Sequence, residues 1–385
     1  MVLLELICCI DIKIDSKEEL RMQKYIPFLL IATMTLNIPK NLYAETNNKD
    51  VISMLKLEGS FRLRYQTEKK ESLFNRERNR IKFKLGGESD ISEQSKVKFG
   101  FATGDTDPRS RNQTFQDSFS PSIIRLDYAY IEHALSNQIM LFGGKMKNPL
   151  WEPSEFLWDT DITPDGYGVR FDNKINSTLK WSITAGYFIL DELNSNKKNP
   201  YLLAIQPGMD WAFNEKTKAR IAAGFYLSKN LKGLTLEHSS RTNTVGSSGL
   251  EKDFSSIVMS GEIDFKDQLG LPLVRPFGEV VINTRTNQNN KGGIVGVKFG
   301  DQAVHTMGQW QSNLSYRYLG ADAWLDTLPD SDCYGGATDV QGFELIFNYA
   351  LSKTTTLGID LYSMYKINGS RDKQTLAQFD LNIKF

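Results

Sequence analysis

The chain has 385 residues, with 46 Lys and Arg against 46 Asp and Glu, so its formal net charge is zero. This balance leaves no excess of basic residues that would indicate nucleic-acid binding and no excess of acidic residues that would indicate a solvating tail. The length allows either several soluble domains or one large barrel. After residue 44 no apolar stretch approaches the ~20 residues that a membrane-spanning helix requires, so only strands could cross a membrane.

Residues 22–44 have the order of features found in a secretory signal. Lys24 precedes an apolar run, and the small residue Ala44 stands before a polar segment. The apolar run is too short to span a membrane as a helix. We therefore expect residues 22–44 to be a signal peptide, and residues 1–21 to be a mis-assigned extension in front of a true start at Met22.

From residue 53 onward, segments of about ten residues alternate apolar and polar side chains, as strands with two different faces do. In LKLEGSFRLRY the leucines and aromatics share one face, and the charged residues share the other. The least regular segments are 200–213 and 272–284, where Pro207 and Pro276 lack the N–H that a ladder requires. The pattern predicts about sixteen strands, near residues 55–65, 78–87, 96–102, 123–132, 138–147, 165–172, 178–190, 200–213, 217–229, 254–266, 272–284, 291–300, 308–319, 341–351, 356–367 and 376–385.

The connections between these strands alternate in length. Those after even-numbered strands are short, as in SDISEQ and SKTT, whereas those after odd-numbered strands are mostly longer and rich in Gly, Pro, Ser and Asn. Tight turns at one rim and long loops at the other are typical of an up-and-down barrel in a membrane. The longest connections span residues 104–122, 148–164, 230–253 and 320–340.

Alternation alone does not decide which face points inward. A closed sheet of about sixteen strands encloses a lumen too wide for side chains to fill, so an apolar interior would leave a void. A Lys or Arg at the bilayer midplane costs roughly 2–4 kcal/mol, which favours charged faces in a wet lumen. We therefore predict an all-β fold, a transmembrane antiparallel up-and-down β-barrel over residues 45–385. A soluble sheet with an aromatic core is the alternative.

Two segments resemble known outer-membrane proteins. The final segment QFDLNIKF, which alternates apolar and polar residues up to Phe385, resembles the closing strand of bacterial outer-membrane barrels. The segment LFGGKMKNPLWEPSEFLWDTDITPDGYGVRF, a Gly-Lys strand end followed by an Asn-Pro and Trp-containing loop and an Asp-rich return, is similar to the "Putative porin" families. The strand count is similar to that of general porins.

This resemblance implies a location in the cell outer membrane of a Gram-negative-type envelope. It implies outer-membrane lipid, small hydrophilic solutes and the barrel-assembly machinery as partners, with Phe385 as the assembly signal. By analogy it also implies a homotrimer.

The resemblance to general porins implies that the third long loop, residues 148–164, folds into the lumen and sets a constriction. Acids on such a loop opposite a basic wall would create a transverse field that orients polar solutes. In the alternative, the loop covers the external rim and the basic residues only hydrate the wall. The acids are Glu152, Glu155, Asp159, Asp161 and Asp165, and the predicted pore-lining basic ladder is Arg62, Arg64, Arg78, Arg80, Lys82, Lys84, Lys96 and Lys98.

Two other groups in the loops have competing interpretations. Trp151, Trp158 and Trp324 are either a stacking track for sugars or, as we expect, part of the loop packing. Four aspartates of the 320–340 loop offer the oxygen ligands that Ca²⁺ prefers, but their spacing does not match an EF-hand, so we expect an exposed acidic loop. They are Asp322, Asp326, Asp330 and Asp332.

Enzymatic interpretations have little support. None of the three histidines has the spacing of a zinc pair, and neither Gly-x-Ser-x-Gly nor a P-loop occurs. His238 and Ser239 are adjacent, but neighbours on an extended chain point to opposite sides. Cys333 is the only cysteine in residues 45–385, which excludes an internal disulfide there. We expect no catalysis, cofactor, metal or nucleic-acid partner.

The predicted function is therefore that of a porin, a passive diffusion channel for small hydrophilic solutes or ions. The alternative is a non-conducting outer-membrane barrel that acts as a surface-binding or structural anchor protein.

Overall fold

A computed structural model describes residues 55–71, 73, 75–194 and 198–385. The predicted extension over residues 1–21 and the predicted signal peptide over residues 22–44 lie outside these described residues. Within the described part of the chain, no helix is long and apolar enough to span a membrane.

Sixteen antiparallel strands close into one barrel, in which each strand pairs with its neighbours in sequence and the last strand pairs with the first. This confirms the predicted fold class and strand count, and the main difference in bounds is that the first strand extends to Lys70. The strands are β1 Leu55–Lys70, β2 Arg76–Asp90, β3 Ser95–Thr103, β4 Ile124–Ala134, β5 Ile139–Lys145, β6 Asp165–Lys174, β7 Leu179–Ile189, β8 Tyr201–Ala212, β9 Thr217–Lys229, β10 Ser255–Gln268, β11 Leu271–Asn283, β12 Lys291–Gly300, β13 Trp310–Leu319, β14 Val340–Ala350, β15 Thr355–Lys366 and β16 Lys373–Lys384.

The four longest loops all lie at one rim of the barrel, as predicted. They span residues 104–123, 146–164, 230–254 and 320–339. Small elements occur within or beside two of them: Gln113–Thr114 pairs with β2, Val245–Gly246 pairs with Gly249–Leu250, and a 3-10 turn forms at Asp117–Phe119.

The two faces of the sheet have opposite polarity, and the apolar face points outward. Leu57 is 61% exposed and Phe379 is 47% exposed on the outer face, whereas Arg64 on the inner face is only 4% exposed. Aliphatic and aromatic side chains exposed around a barrel are stable against acyl chains, and charged side chains require the aqueous interior. The predicted inside-out arrangement is therefore confirmed.

Both prolines are accommodated inside strands by a local interruption of pairing on one side. Pro207 pairs with Ile183 of β7, but the pairing of β8 with β9 passes from Gly208 to Ile205 and omits the proline. Pro276 likewise pairs with β12 and is omitted from the pairing of β11 with β10. Each proline thus lies where its missing N–H leaves a gap in only one ladder.

The barrel closes between β1 and β16 through a tight contact at the short-turn rim. Gly59 and Phe385 exchange two backbone hydrogen bonds, with N···O distances of 2.8 and 3.0 Å. A Cβ atom at Gly59 would lie 2.3 Å from the Phe385 ring, so glycine leaves the space that this ring occupies. The ring also stacks on Phe83, with the centroids 6.3 Å apart.

Candidate functional site

The 146–164 loop lies inside the barrel, where both of its ends contact lumen-facing side chains. The Trp151 amide donates to Gln206 Oε1 of β8 at 2.8 Å, and Gln206 Nε2 donates back to the Trp151 carbonyl at 2.9 Å. Near the other end of the loop, Asp161 Oδ1 lies 2.6 Å from Lys84 Nζ of β2. The loop therefore crosses from one part of the inner wall to another.

The basic residues of the first strands lie on the lumen face. The pairing of β1 with β2 places Arg62 opposite Lys82 and Arg64 opposite Arg80, and directly opposed residues share one face of a sheet. Arg64 Nε and Nη2 donate to the two carboxylate oxygens of Asp380 on β16, both at 2.7 Å. This bidentate pair is the strongest geometry available to a guanidinium.

Two members of the predicted ladder lie apart from the rest. Lys96 and Lys98 are near the short turn between β2 and β3, where Lys96 Nζ lies 3.1 Å from Asp90 and Lys98 Nζ lies 2.9 Å from Glu132. The structure therefore does not bring these two lysines to the 146–164 loop. The six members that form the ladder on β1 and β2 are Arg62, Arg64, Arg78, Arg80, Lys82 and Lys84, of which Lys82 and Lys84 contact the loop.

Asp161 is the acid that joins the loop to the basic ladder. Its carboxylate lies 3.5 Å from Lys82 Nζ and 2.6 Å from Lys84 Nζ, and it accepts the Arg111 amide at 3.2 Å. Burial opposes ionisation, but Lys82 and Lys84 outweigh it and hold the pKa of Asp161 below its usual range. Asp161 is therefore ionised and bound to the wall, and it does not face the wall across open space.

Glu155 and Asp159 face a different partner, Asp330 of the 320–339 loop. Oxygen atoms of these three carboxyl groups lie within 4.8 Å of one another. Burial raises the pKa of both Glu155 and Asp159, and their acidic neighbours raise that of Asp159 further. Asp330 also accepts hydrogen bonds from Arg317 at 3.4 Å and Tyr362 at 3.1 Å. The cluster is thus held by protein groups on one side of the lumen.

Glu152 points toward a second acidic site on the wall. Burial raises its pKa well above the usual value, and the nearby Glu279 of β11 raises it further. One oxygen of each side chain is buried and has no hydrogen-bond partner within the described residues. A carboxyl group in this setting favours its neutral form.

Asp165 lies apart from the other predicted loop acids. It is the first residue of β6 and pairs with Lys145 of β5, and its side chain is 59% exposed. Side chains alternate along a strand, and the next residue, Gly166, takes the inner position. Asp165 therefore points outward, where it forms an ion pair with Lys145 at 3.1 Å.

The loop tryptophans pack against other side chains, as expected. Trp158 and Trp324 are each 3% exposed, with their ring centroids 6.2 Å apart. Trp324 Nε1 donates to the Leu157 carbonyl at 2.8 Å and the ring packs edge-on against Tyr226. Trp151 lies over the guanidinium of Arg220, 5.2 Å from it. These contacts join the loop to the wall.

The expectation that the 320–339 loop is an exposed acidic loop is wrong. Asp326 and Asp330 are each 2% exposed. The Asp326 carboxylate accepts hydrogen bonds from Ser239 and from the Thr242 and Asn243 amides. Asp326 is buried because it accepts hydrogen bonds from another loop, and Asp330 is buried because it accepts them from Arg317 and Tyr362 of the wall; composition does not reveal either role.

Sequence reasoning also missed Arg109, which connects three loops. Its guanidinium is 4% exposed and donates to the His238 carbonyl at 2.8 Å, the Asp326 carbonyl at 3.0 Å and Ser240 Oγ at 3.2 Å. In return, Ser331 Oγ donates to the Arg109 carbonyl at 2.9 Å. The only available signal was a basic residue within a Pro- and Asp-rich loop, which is common on exposed surfaces.

The fold and the chain match known channel proteins. Pseudomonas putida OprB, in its high-pH structure, is 12% identical, with a TM-score of 0.58 over 88% of this chain and 96% of that chain. Salmonella typhi OmpF in complex with daunomycin is 12% identical, with a TM-score of 0.51 over 86% of this chain and 97% of that chain. At this identity the likeness concerns the fold alone. Among curated protein sequences, none matches.

The family described as "Putative porin" matches residues 41–261 and 242–385, which together cover most of the chain. The family and the barrel indicate a channel for small solutes in the outer membrane rather than an enzyme. The chain belongs to the putative porin family.

Proposed function

We propose that small hydrophilic solutes diffuse through the lumen and that the 146–164 loop narrows their path beside the basic ladder. The observation that carries this proposal is the 2.6 Å contact between Asp161 and Lys84, because it holds the loop against the wall inside the barrel. The Trp151–Gln206 hydrogen bonds support a loop that is fixed at two points.

A basic wall on one side of the passage and, on the other, carboxyl groups that gain negative charge as the pH rises would then give selectivity. The ladder is basic, whereas Glu152, Glu155 and Asp159 lie on the part of the loop that contacts other acids. Fixed charges in a narrow aqueous passage act over a distance of about 8–10 Å at physiological salt. A dipolar or charged solute would be oriented as it passes between them.

The test is planar-bilayer recording of the purified protein in asymmetric KCl. Joint replacement of the four loop acids (E152Q, E155Q, D159N, D161N) should change the single-channel conductance and move the reversal potential toward anion preference. D165N is the matched control, since Asp165 points outward, and it should change neither value.

Unchanged conductance and reversal potential in the fourfold variant would contradict the role of the loop. The absence of any channel activity in the folded wild-type protein would favour the non-conducting anchor instead.

We also propose that the barrel assembles as a homotrimer through its outer face near β3–β6. His133 lies outward on β4 and is 6% exposed. Its Nδ1 bonds to Ser95 Oγ at 2.8 Å, while its Nε2 is buried without a partner within the described residues. Because Nε2 is already covered within one barrel, it offers no contact to a neighbour, and the trimer is proposed by analogy with the general porins that the chain resembles. Native mass spectrometry should give three times the mass of one chain, and a monomer mass would contradict the trimer without affecting conduction.

A further inference from the structure

We propose that the inner wall around Arg80 binds a small oxyanion, such as inorganic phosphate or a carboxylate, on the path of the solutes. The inference rests on the proposed conduction through the lumen and adds a class of ligand to it. It is carried by an excess of guanidinium donors over acceptors at one place on β1 and β2.

The carboxylates that neutralise the ladder are distributed unevenly. Five of the six ladder members on β1 and β2 have a carboxylate within 4.0 Å. Arg62 and Arg64 share Asp380, and Arg64 also contacts Asp332. Arg78 contacts Glu68, and both Lys82 and Lys84 contact Asp161. Within the described part of the chain, Arg80 has no carboxylate at that distance. The positive charge that is left uncompensated is therefore centred on Arg80.

Hydrogen bonding shows the same shortage of acceptors. Arg80 Nη1 donates only to Gln66 Oε1, at a long distance of 3.3 Å. The Nε atoms of Arg62, Arg78 and Arg80 are all buried and have no hydrogen-bond partner within the described residues. A buried donor that lacks an acceptor is destabilising, and more so when it is charged. These Nε atoms are covered, so an anion would contact the terminal nitrogens of Arg80, whose side chain is partly exposed, and would supply the acceptors that are missing there.

The side chains next to Arg80 do not neutralise it, because Arg64 lies opposite it and Arg78 lies beside it on the same face, while Gln66 is a neutral acceptor. Gln66, Gln374 and Gln378 are at most 1% exposed, and Gln378 Nε2 donates to Gln66 Oε1 at 3.4 Å. This pairing keeps the Gln66 oxygen turned toward Arg80. Asp332 is the acid that could pair with Arg80, but it is already bound to Arg64 at 3.0 Å. Gln66 therefore orients Arg80 without neutralising it.

The donor geometry selects an oxyanion over a simple halide. A guanidinium presents its N–H groups in a planar fork that matches two oxygens of a carboxylate or phosphate. A lysine at the same place would supply the same charge, but its ammonium group could not donate two parallel hydrogen bonds to one oxyanion. The inference therefore predicts a difference between Arg80→Lys and the wild type, which a purely electrostatic wall would not produce.

The experiment uses the full protein in planar bilayers in KCl at pH 7, with inorganic phosphate or acetate added at constant ionic strength. The chloride current should fall to a saturating level with phosphate, acetate or both. The half-blocking concentration should rise at least tenfold in R80Q and several-fold in R80K. R170Q is the matched control, because Arg170 lies on the lumen face of β6 in an ion pair with Asp172 at 2.8 Å, and it should stay within twofold of the wild type.

Phosphate line broadening in ³¹P NMR with detergent-solubilised protein measures binding without requiring conduction. Broadening that is lost in R80Q supports the site even if no current is seen, in which case only the proposed function fails. Proportional, non-saturating effects of both anions, together with no broadening, would overturn the site while leaving a conducting porin intact. Equal block in the wild type and R80Q would also overturn it.

Discussion

Lys84 Nζ lies 2.6 Å from Asp161 Oδ1, and this contact joins the second strand of the barrel to the loop inside its lumen. Asp161 is 7% exposed, so the pair is well shielded on the side of the acid. A shielded, hydrogen-bonded ion pair holds its two elements together more firmly than an exposed one. The position of this end of the loop therefore depends on the Asp161 carboxylate, while the Trp151–Gln206 hydrogen bonds hold the other end.

Replacing that carboxylate should loosen the end of the loop that contacts β2. We expect D161N to lower the free energy of unfolding by about 1.5–3 kcal/mol, the range for hydrogen bonds to charged groups, and to increase open-channel current noise. Urea unfolding in lipid vesicles and single-channel recording measure the two effects. D165N removes an equal charge from the outer face and should stay within about 0.5 kcal/mol of the wild type.

The pH dependence of this pair has a definite sign. Because Lys82 and Lys84 hold the pKa of Asp161 below its usual range, the folded protein binds that proton less tightly than the unfolded chain. The stabilisation is present above the ordinary Asp pKa of about 4 and is lost progressively as the pH falls below it. The stability difference between the wild type and D161N should be constant from pH 5 to 7. A difference that vanishes near pH 6 would contradict this assignment.

Glu152 should behave in the opposite way. Burial and Glu279 raise the pKa of Glu152, so the folded protein retains this proton and loses stability as the pH rises above the ordinary Glu pKa of about 4.3. We expect E152Q to be more stable than the wild type at pH 8 by on the order of 1 kcal/mol, and about equal to it at pH 4. The measurement is urea unfolding of both proteins across this range. A wild type that is the more stable protein at pH 8 would refute the prediction.

Gly59 and Phe385 should be coupled energetically. G59A places a methyl group against the Phe385 ring and should cost about 1 kcal/mol as overpacking. In the F385A background the same substitution should cost almost nothing, because the ring is gone. A double-mutant cycle of unfolding free energies measures this interaction. Equal costs in both backgrounds would show that the ring does not depend on the glycine.

Arg109 should control the order of the external loops. R109A leaves the His238 and Asp326 carbonyls without this donor, so backbone amides of the 230–254 and 320–339 loops should exchange at least tenfold faster, which corresponds to ~1.4 kcal/mol. Hydrogen exchange measured by mass spectrometry reports each loop separately. R241A, which removes an exposed arginine of the 230–254 loop, should leave exchange unchanged. Uniform acceleration across the strands would indicate global unfolding instead.

The barrel was predictable from the sequence because lipid and water impose opposite demands on alternate residues. That demand repeats along every strand, so even segments containing Pro207 or Pro276 were identified correctly. The alternation of short and long connections was predictable because successive connections of an up-and-down barrel lie at opposite rims. Each of these features is periodic or repeated, and repetition compensates for weak signals in single segments.

The interior was harder to predict because loops have no period. Asp161 and Asp165 are four residues apart, yet one binds the wall and the other points outward, since the strand β6 begins at Asp165. Likewise, Asp326 is chemically ordinary, and its burial depends on amides from a loop that lies more than eighty positions away in sequence. Such contacts are decided by tertiary placement and leave no local pattern.

The seam between β1 and β16 has a consequence for biogenesis. The two strands of the seam lie near opposite ends of the chain, and 316 positions separate Arg64 from Asp380. The sheet therefore stays open until β1 and β16 pair. Loop closure over such a separation is slow. During that interval both borders expose unpaired amides and carbonyls that can recruit other chains. Nascent molecules will therefore need shielding from one another until the cylinder is sealed.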